Sequence, residues 1–110
     1  MPASRSGPSA RHEDPAVDEA ALAAARHADL LLDAVRSAGS ERWTAFLAPL
    51  PDRLRDEPTE ALRAIALRAR AAFGPKDSIR DVLPDELTMP FRDAVDSLIK
   101  TLGRRAHRTD

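Results

Sequence analysis

The chain of 110 residues contains no cysteine and no tyrosine. Without cysteine it can hold no disulfide framework, no thiolate zinc site and no cysteine nucleophile. No segment alternates apolar and polar residues over the length of a strand, and tyrosine, a common strand residue, is missing altogether. These absences predict a fold without a β-sheet.

Long apolar runs and a dominant sign of charge are also lacking. No stretch approaches the about 18 consecutive apolar residues that span a bilayer, and no apolar run follows Arg5 and Arg11 as a signal peptide requires. The formal net charge is −1, which indicates neither nucleic acid nor an anionic membrane as a partner. We therefore predict a cytoplasmic protein without membrane association. The excess of arginine over lysine and the abundance of alanine are typical of a GC-rich bacterial genome.

The few glycines and histidines are placed where they exclude further kinds of site. Of four glycines, Gly7 lies near the N-terminus and the others follow predicted helices, so neither phosphate-binding loop motif occurs. His12 and His107 lie near the termini. His27 has alanine and leucine neighbours one helical turn away, so no helix presents paired metal ligands. We predict no catalytic residue, no metal site and no cofactor, and hence a protein that is not an enzyme.

Proline and glycine punctuate the rest of the chain. A proline at the first helical position and a glycine after the last one are favourable for backbone reasons. Three long helices are therefore predicted, which begin at Pro15, Pro58 and Pro90 and end at Gly39, Gly74 and Gly103. Two short helices are predicted over residues 40–50 and 78–83, with a polar turn over residues 52–57 that can contain one loose helical turn around Leu54.

The predicted fold class is all-α, a compact bundle of three main helices plus two short helices. Hydrophobic residues make up 43% and charged residues 32%, a composition typical of one globular domain at this length. We expect that domain to span residues 14–103. Residues 1–13 lack periodicity and are expected to form a flexible leader, and residues 104–110 a flexible basic tail.

The two short helices carry apolar residues at helical spacing. In the first, Trp43 is expected to anchor the core with its ring N–H bonded to a carbonyl; the alternative is an exposed tryptophan that binds a partner. In the second, Ile79, Val82 and Leu83 are expected to face inward.

One corner of the chain carries acids that invite an explanation. Asp77 and Asp81 flank Ser78 at the start of the second short helix, where a serine and an acid can cap the free amides. We favour this capping role. A small metal-binding protein or enzyme centred on the same corner is an alternative, because Mg²⁺ needs few protein carboxylates.

Arginines suggest a further alternative. Arg63 and Arg70 lie on one flank of the third helix beside Leu67, with Arg68 on the opposite flank. A nucleic-acid-associated regulatory protein would use two groups of arginines on the third helix and in the tail: Arg63, Arg70, Arg104, Arg105 and Arg108. Without aromatic partners for these residues, nucleic acid is not the favoured partner.

The order of several motifs resembles a small bacterial all-helical family without an established activity. The similarity covers about residues 30–83 and rests on a leucine-rich helix, a glycine, a tryptophan and a later Phe-Gly-x-x-x-Ser-hydrophobic-x-Asp segment. These are Leu31-Leu32, Gly39, Trp43 and Leu47, followed by Phe73-Gly74, Ser78-Ile79 and Asp81-Val82. Where the family has Gly-Met-Gly, this chain has Pro75-Lys76-Asp77, and Arg80 replaces an asparagine. The resemblance implies a helical fold and no mechanism.

Small size, helices alone and the missing catalytic constellations favour a non-enzymatic protein-interaction module. An immunity, antitoxin-like or adaptor protein of a bacterium would fit, with another protein as its partner and the oligomeric state left open. The expected contact surface is the corner in which acids accompany apolar residues between two prolines. It comprises Asp77, Ser78, Arg80, Asp81, Asp85, Glu86, Leu87 and Met89.

Overall fold

Five α-helices and two short 3₁₀ turns carry most of the part of the chain that the structure describes. This structure is a computed structural model, which describes residue 11, residues 14–75 and residues 77–108, with side chains as far as Arg104. The helices are α1 (Pro15–Ser37), α2 (Glu41–Leu47), α3 (Leu50–Asp56), α4 (Thr59–Arg70) and α5 (Asp85–Arg108), and the 3₁₀ turns are Ala71–Phe73 and Ile79–Asp81. The described residues contain no strand, which confirms the all-α class.

The end of α1 is set by Gly39. Its φ of 76° places it in the left-handed region, which a glycine enters without steric cost. The amide of Gly39 donates to the carbonyl of Arg36 and the amide of Ser40 donates to the carbonyl of Val35, both at 3.0 Å. This pair of bonds is the Schellman arrangement. The Ser40 hydroxyl then accepts from the amide of Trp43 and caps α2, so α1 leads directly into α2.

The second short helix is not where the sequence predicted it. The predicted polar turn over residues 52–57 is largely helix α3, whose first turn contains Pro51. Proline needs no amide hydrogen bond at that position, so it starts a helix as readily as it ends one. Burial of Leu50 and Leu54 holds α3 against the core. Residues 78–83, predicted as a helix, contain only the 3₁₀ turn Ile79–Asp81.

Helix α5 is longer at both ends than predicted. It begins at Asp85, and Pro90, predicted as its first residue, lies inside it. A proline there deprives the carbonyl four residues earlier of its helical donor, but the fully buried Thr88 and Phe91 on either side keep the segment packed. Gly103, predicted as the stop, is within the helix and lacks the positive φ of a glycine cap.

The core lies around α1, which packs along α5 and also contacts α3 and α2. Its buried face consists of Val17, Ala21, Ala24, Ala25, Ala28, Leu31, Leu32 and Val35. Because half of this face is alanine, the neighbouring helices can approach closely. Trp43, only 5% exposed, joins the same core, as predicted. No helix in the described part of the chain is apolar enough over a sufficient length to cross a membrane.

Arg11 departs from the expectation of a flexible leader. Its guanidinium contacts the Asp18 carboxylate at 2.9 Å, and its Nη1 donates to the carbonyls of Leu54 and Glu57 at 2.8 and 2.9 Å. These carbonyls lie at the C-terminal end of α3, where a cation offsets the negative end of the helix dipole. Arg11 therefore ties the entry to α1 to the α3–α4 junction. The other residues of the predicted leader lie outside the described residues.

Candidate functional site

The predicted contact corner, between the end of α4 and the start of α5, has an ordered backbone. The hydroxyl of Ser78 accepts from the amide of Arg80 at 3.1 Å, and the Asp81 carboxylate accepts from the amide of Ser78 at 3.1 Å. Together these bonds form a capping box on the 3₁₀ turn Ile79–Asp81. The predicted cap is therefore present.

Arg80 ties this turn to the first turn of α5. Its Nε and Nη2 donate to the two carboxylate oxygens of Asp85 at 3.0 and 3.1 Å, a two-pronged pair. The hydrogen bonds with Asp85, and then its negative charge, raise the pKa of Arg80 above its usual value. The segment between the two residues is thus held at both ends.

Asp77 has a different partner from the other acids of the corner. Its φ of 54° lies in the left-handed region, which aspartate tolerates better than most residues, at a position where the resembling family has glycine. Its carboxylate lies 3.9 Å from Nη1 of Arg42 on α2, whereas that of Asp81 caps the turn. Among the described residues, no three or more histidines, cysteines or acids are grouped so as to hold a metal ion. Asp77 and Asp81 thus have different partners, the guanidinium of Arg42 and the amide of Ser78.

Two large aliphatic side chains of the corner face solvent. Leu87 is 42% exposed, and Val82 is 43% exposed. The prediction that Val82 faces inward is therefore wrong; Ile79 and Leu83 are the buried residues of this segment, 0% and 7% exposed. A single 3₁₀ turn has about three residues per turn, so it cannot direct Val82 to the side that a continuous α-helix would give it. Met89 is half-buried.

Charged residues alternate with this aliphatic pair along the chain. We call the corner surface the set of exposed residues formed by Arg80, Asp81, Val82, Asp85, Glu86 and Leu87. It retains most of the predicted contact residues and adds Val82. Three of its four charged residues have partners: Arg80 pairs with Asp85, and Asp81 caps the 3₁₀ turn.

The arginines proposed to bind nucleic acid differ in whether they have an acidic partner within the fold. Nε of Arg70 donates to the Asp96 carboxylate at 2.8 Å and so links α4 to α5. Arg63 and Arg104 are exposed, and the side chains of Arg105 and Arg108 lie outside those described. Arg70 therefore contributes to helix packing.

A cleft that the sequence did not predict lies between α2 and the end of α4. Its volume is about 400 Å³, and it is lined by Arg42, Trp43, Ala45, Phe46, Arg68, Ala71 and Asp77. The rings of Trp43 and Phe46 meet edge to face, with centroids 5.3 Å apart. Asp77 connects this cleft to the predicted corner.

An arginine guanidinium lies over each of the two aromatic rings of the cleft. The guanidinium carbon of Arg42 lies 4.7 Å from the centroid of Trp43, and that of Arg68 lies 5.3 Å from the centroid of Phe46. Cation–π attraction favours both positions. The sequence signal was present in the adjacent Arg42-Trp43 pair and in Phe46 one turn later, but the contribution of Arg68 comes from a different helix and depends on the tertiary fold.

No protein-family model, curated protein or solved structure matches this chain. The family resemblance of residues 30–83 therefore stays a prediction, and the function has to be inferred from the chain's own residues.

Proposed function

We propose that this chain is a non-enzymatic protein-interaction module, such as an immunity, antitoxin-like or adaptor protein, and that the corner surface binds its protein partner. The observation that carries the proposal is the exposure of Val82 and Leu87 in one short segment, at 43% and 42%. Large aliphatic side chains exposed close together on a small domain mark binding sites more often than scattered ones do, and these two lie close together in the chain.

The frame around this pair supports binding. The capping box of Ser78 and Asp81 and the two-pronged Arg80–Asp85 pair hold the turn before any partner arrives. A surface that is already ordered loses less conformational entropy on association, so more of the apolar contact contributes to affinity. Charged side chains beside an apolar centre also restrict which partners fit.

The chemistry of the corner does not favour an enzyme. A serine nucleophile needs a neighbouring base that takes its proton. Among the described residues no base accepts a hydrogen bond from the Ser78 hydroxyl, and Asp81 is bound to the Ser78 amide. His27, the one histidine whose side chain is described, is half-buried on α1.

The test is affinity capture with the full chain as bait, in a lysate of the organism that encodes it. The partner found with the wild type is then purified, and its affinity is measured by calorimetry. We expect the double variant Val82→Ser/Leu87→Ser to bind at least about tenfold more weakly, because two aliphatic side chains lose their buried contact area.

A matched control separates the corner from general surface hydrophobicity. Leu30 on α1 is 60% exposed, more than either corner residue, so Leu30→Ser removes a comparable apolar surface elsewhere. We expect this variant to bind the partner as the wild type does. The proposal fails if the corner variant and the Leu30 variant bind equally well, or if the wild type binds no protein in a defined ratio.

A further inference from the structure

The cleft between α2 and α4 has an excess of positive charge. It contains two guanidiniums, of Arg42 and Arg68, and one carboxylate, of Asp77. Arg68 is exposed, and among the described residues no carboxylate lies within ion-pair distance of it. The chain as a whole has a net charge of −1, so this positive group is a local feature and not a consequence of composition.

Both guanidiniums are positioned by aromatic rings. Arg42 lies over Trp43 and Arg68 over Phe46, at 4.7 and 5.3 Å from the ring centroids. A ring attracts the cation without accepting conventional hydrogen bonds from its N–H groups, so the planar fork stays available for a ligand. Carboxylates are the groups that this fork binds with two parallel hydrogen bonds.

The single internal carboxylate holds Arg42 weakly. Asp77 and Arg42 are 3.9 Å apart, and their side chains are 75% and 63% exposed. Exposed ion pairs of this kind contribute little, because water screens the charges. A carboxylate that enters the cleft can therefore replace Asp77 at Arg42 while it also neutralises Arg68.

We propose that this cleft binds an acidic peptide segment of a protein, with one carboxylate at Arg68, a second at Arg42 and an apolar side chain against Phe46. The apolar contact comes from the half-buried Phe46 and from Ala45 and Ala71, which are exposed and small. A volume of about 400 Å³ is at the lower end of ligand pockets and admits a few side chains of a peptide. The proposal is independent of the corner surface.

The chain supplies its own reporter for the test. Trp43 is the only tryptophan and tyrosine is absent, so the intrinsic fluorescence comes from a residue that lines the cleft. The probe is a short synthetic peptide with two adjacent glutamates followed by a leucine, and its control has glutamines in place of the glutamates. We expect the acidic peptide to change Trp43 fluorescence saturably and to release or take up heat in calorimetry, whereas the glutamine peptide gives neither signal.

Three variants separate the cleft from general charge. Arg68→Gln removes one guanidinium and is expected to weaken the peptide about tenfold, as the loss of a charge-assisted hydrogen bond does. Asp77→Asn removes the internal competitor, keeps a residue that tolerates positive φ, and is expected to tighten binding about two- to fivefold. Arg63→Gln, on the same helix but outside the cleft, is expected to leave the affinity unchanged.

Inorganic phosphate and acetate, titrated alone, distinguish a peptide site from a plain anion site. We expect both to bind far more weakly than the peptide. Equal affinity for phosphate and for the peptide would overturn the proposal. Equal losses of peptide affinity in Arg68→Gln and Arg63→Gln would also overturn it, and so would the absence of peptide binding in calorimetry. The Val82→Ser/Leu87→Ser chain is expected to keep the peptide affinity, so the cleft and the corner surface can fail separately.

Discussion

Burial determines which single side chains matter most for the stability of this domain. Arg11 and Thr88 differ in this respect, although both are polar and both are withdrawn from water. The Arg11 side chain is 9% exposed; its Nε and Nη1 donate hydrogen bonds to acceptors on α1 and at the end of α3, and its Nη2 contacts Asp18 only as an ion pair. Thr88 is 0% exposed, and its hydroxyl has no partner among the described residues. A buried polar group stabilises the fold only when its hydrogen bonds are satisfied.

Arg11→Ala is expected to lower the free energy of unfolding by about 2 kcal/mol, because it leaves the carbonyls of Leu54 and Glu57 without their donor. Chemical denaturation measures this change. Arg36→Ala is the matched control, since its ion pair with Asp33 spans 4.0 Å and is exposed; it is expected to change stability little. Equal effects of the two substitutions would mean that Arg11 is not anchored as the structure has it.

Thr88→Val is expected to raise the free energy of unfolding by about 1 kcal/mol, because it removes an unpaired buried hydroxyl and keeps the β-branched shape. Thr101→Val is the control: its hydroxyl donates to the carbonyl of Ser97 at 2.8 Å, so no gain is expected there. A clear loss of stability in Thr88→Val would show that the hydroxyl has a hydrogen-bond partner in solution.

At the scale of elements, the glycines at the ends of the long helices have different roles. Gly39 has a φ of 76°, whereas Gly103 lies in regular helix, and a Cβ on either would meet no atom within 4 Å. Gly39→Ala is expected to cost about 1–2 kcal/mol of stability, since alanine is strained in the left-handed region. Gly103→Ala is expected to add up to about 1 kcal/mol, since alanine loses less backbone entropy in a helix.

Thermal or chemical unfolding of the two glycine variants, followed by circular dichroism, tests this contrast. Since neither substitution causes a clash, the sign of each change reports the backbone alone. If Gly103→Ala destabilised the chain, α5 would end near Gly103, as the sequence suggested.

The Arg80–Asp85 pair between the 3₁₀ turn and α5 is expected to contribute equally to stability across neutral and mildly alkaline pH. Hydrogen bonding with Asp85 raises the pKa of Arg80 in the folded chain. A base whose pKa is raised by folding stabilises the fold at every pH below its unfolded value, and this contribution disappears only as the pH rises through the folded value. The stability difference between wild type and Arg80→Gln is therefore expected to stay constant from about pH 7 to pH 10, far below the arginine range. If the stability difference between wild type and Arg80→Gln became smaller between about pH 7 and pH 10, the Arg80–Asp85 ion pair would not be its source.

At the scale of the whole molecule, the buried apolar residues of the described part form one core cluster that includes Trp43 and residues of all five helices. A small domain with one core unfolds as a unit. Trp43 fluorescence and helical circular dichroism are expected to give the same urea midpoint. Two separate midpoints would mean that α2 detaches from the bundle before the other helices melt.

The two candidate surfaces also belong to this scale. Asp77 lines the cleft, and the corner surface begins a few residues later at Arg80. A partner that carries both an acidic segment and an apolar patch could contact both surfaces at once, which would raise its affinity through effective concentration. The affinity of the same purified partner is measured for the cleft variant, for the corner variant and for the chain that combines them. These measurements show whether the two losses of binding free energy add.

The sequence by itself determined the features that depend on local chemistry. The all-α class, the stop at Gly39 and the cap formed by Ser78 and Asp81 all rest on residues within a few positions of one another. The hydrogen bonds of the stop and the cap need no distant partner. The burial of Trp43 followed from its spacing with Leu47 and Leu50.

Only the tertiary structure decided the features in which packing outweighs local preference. Pro90 and Gly103 are weak helix residues, but α5 continues through both because its buried face packs along α1. The anchoring of Arg11 and the cleft of Arg42 and Arg68 depend on residues far apart in the chain. A sequence pattern reports spacing along one helix, whereas these sites arise from contacts between helices, whose relative placement the pattern does not contain.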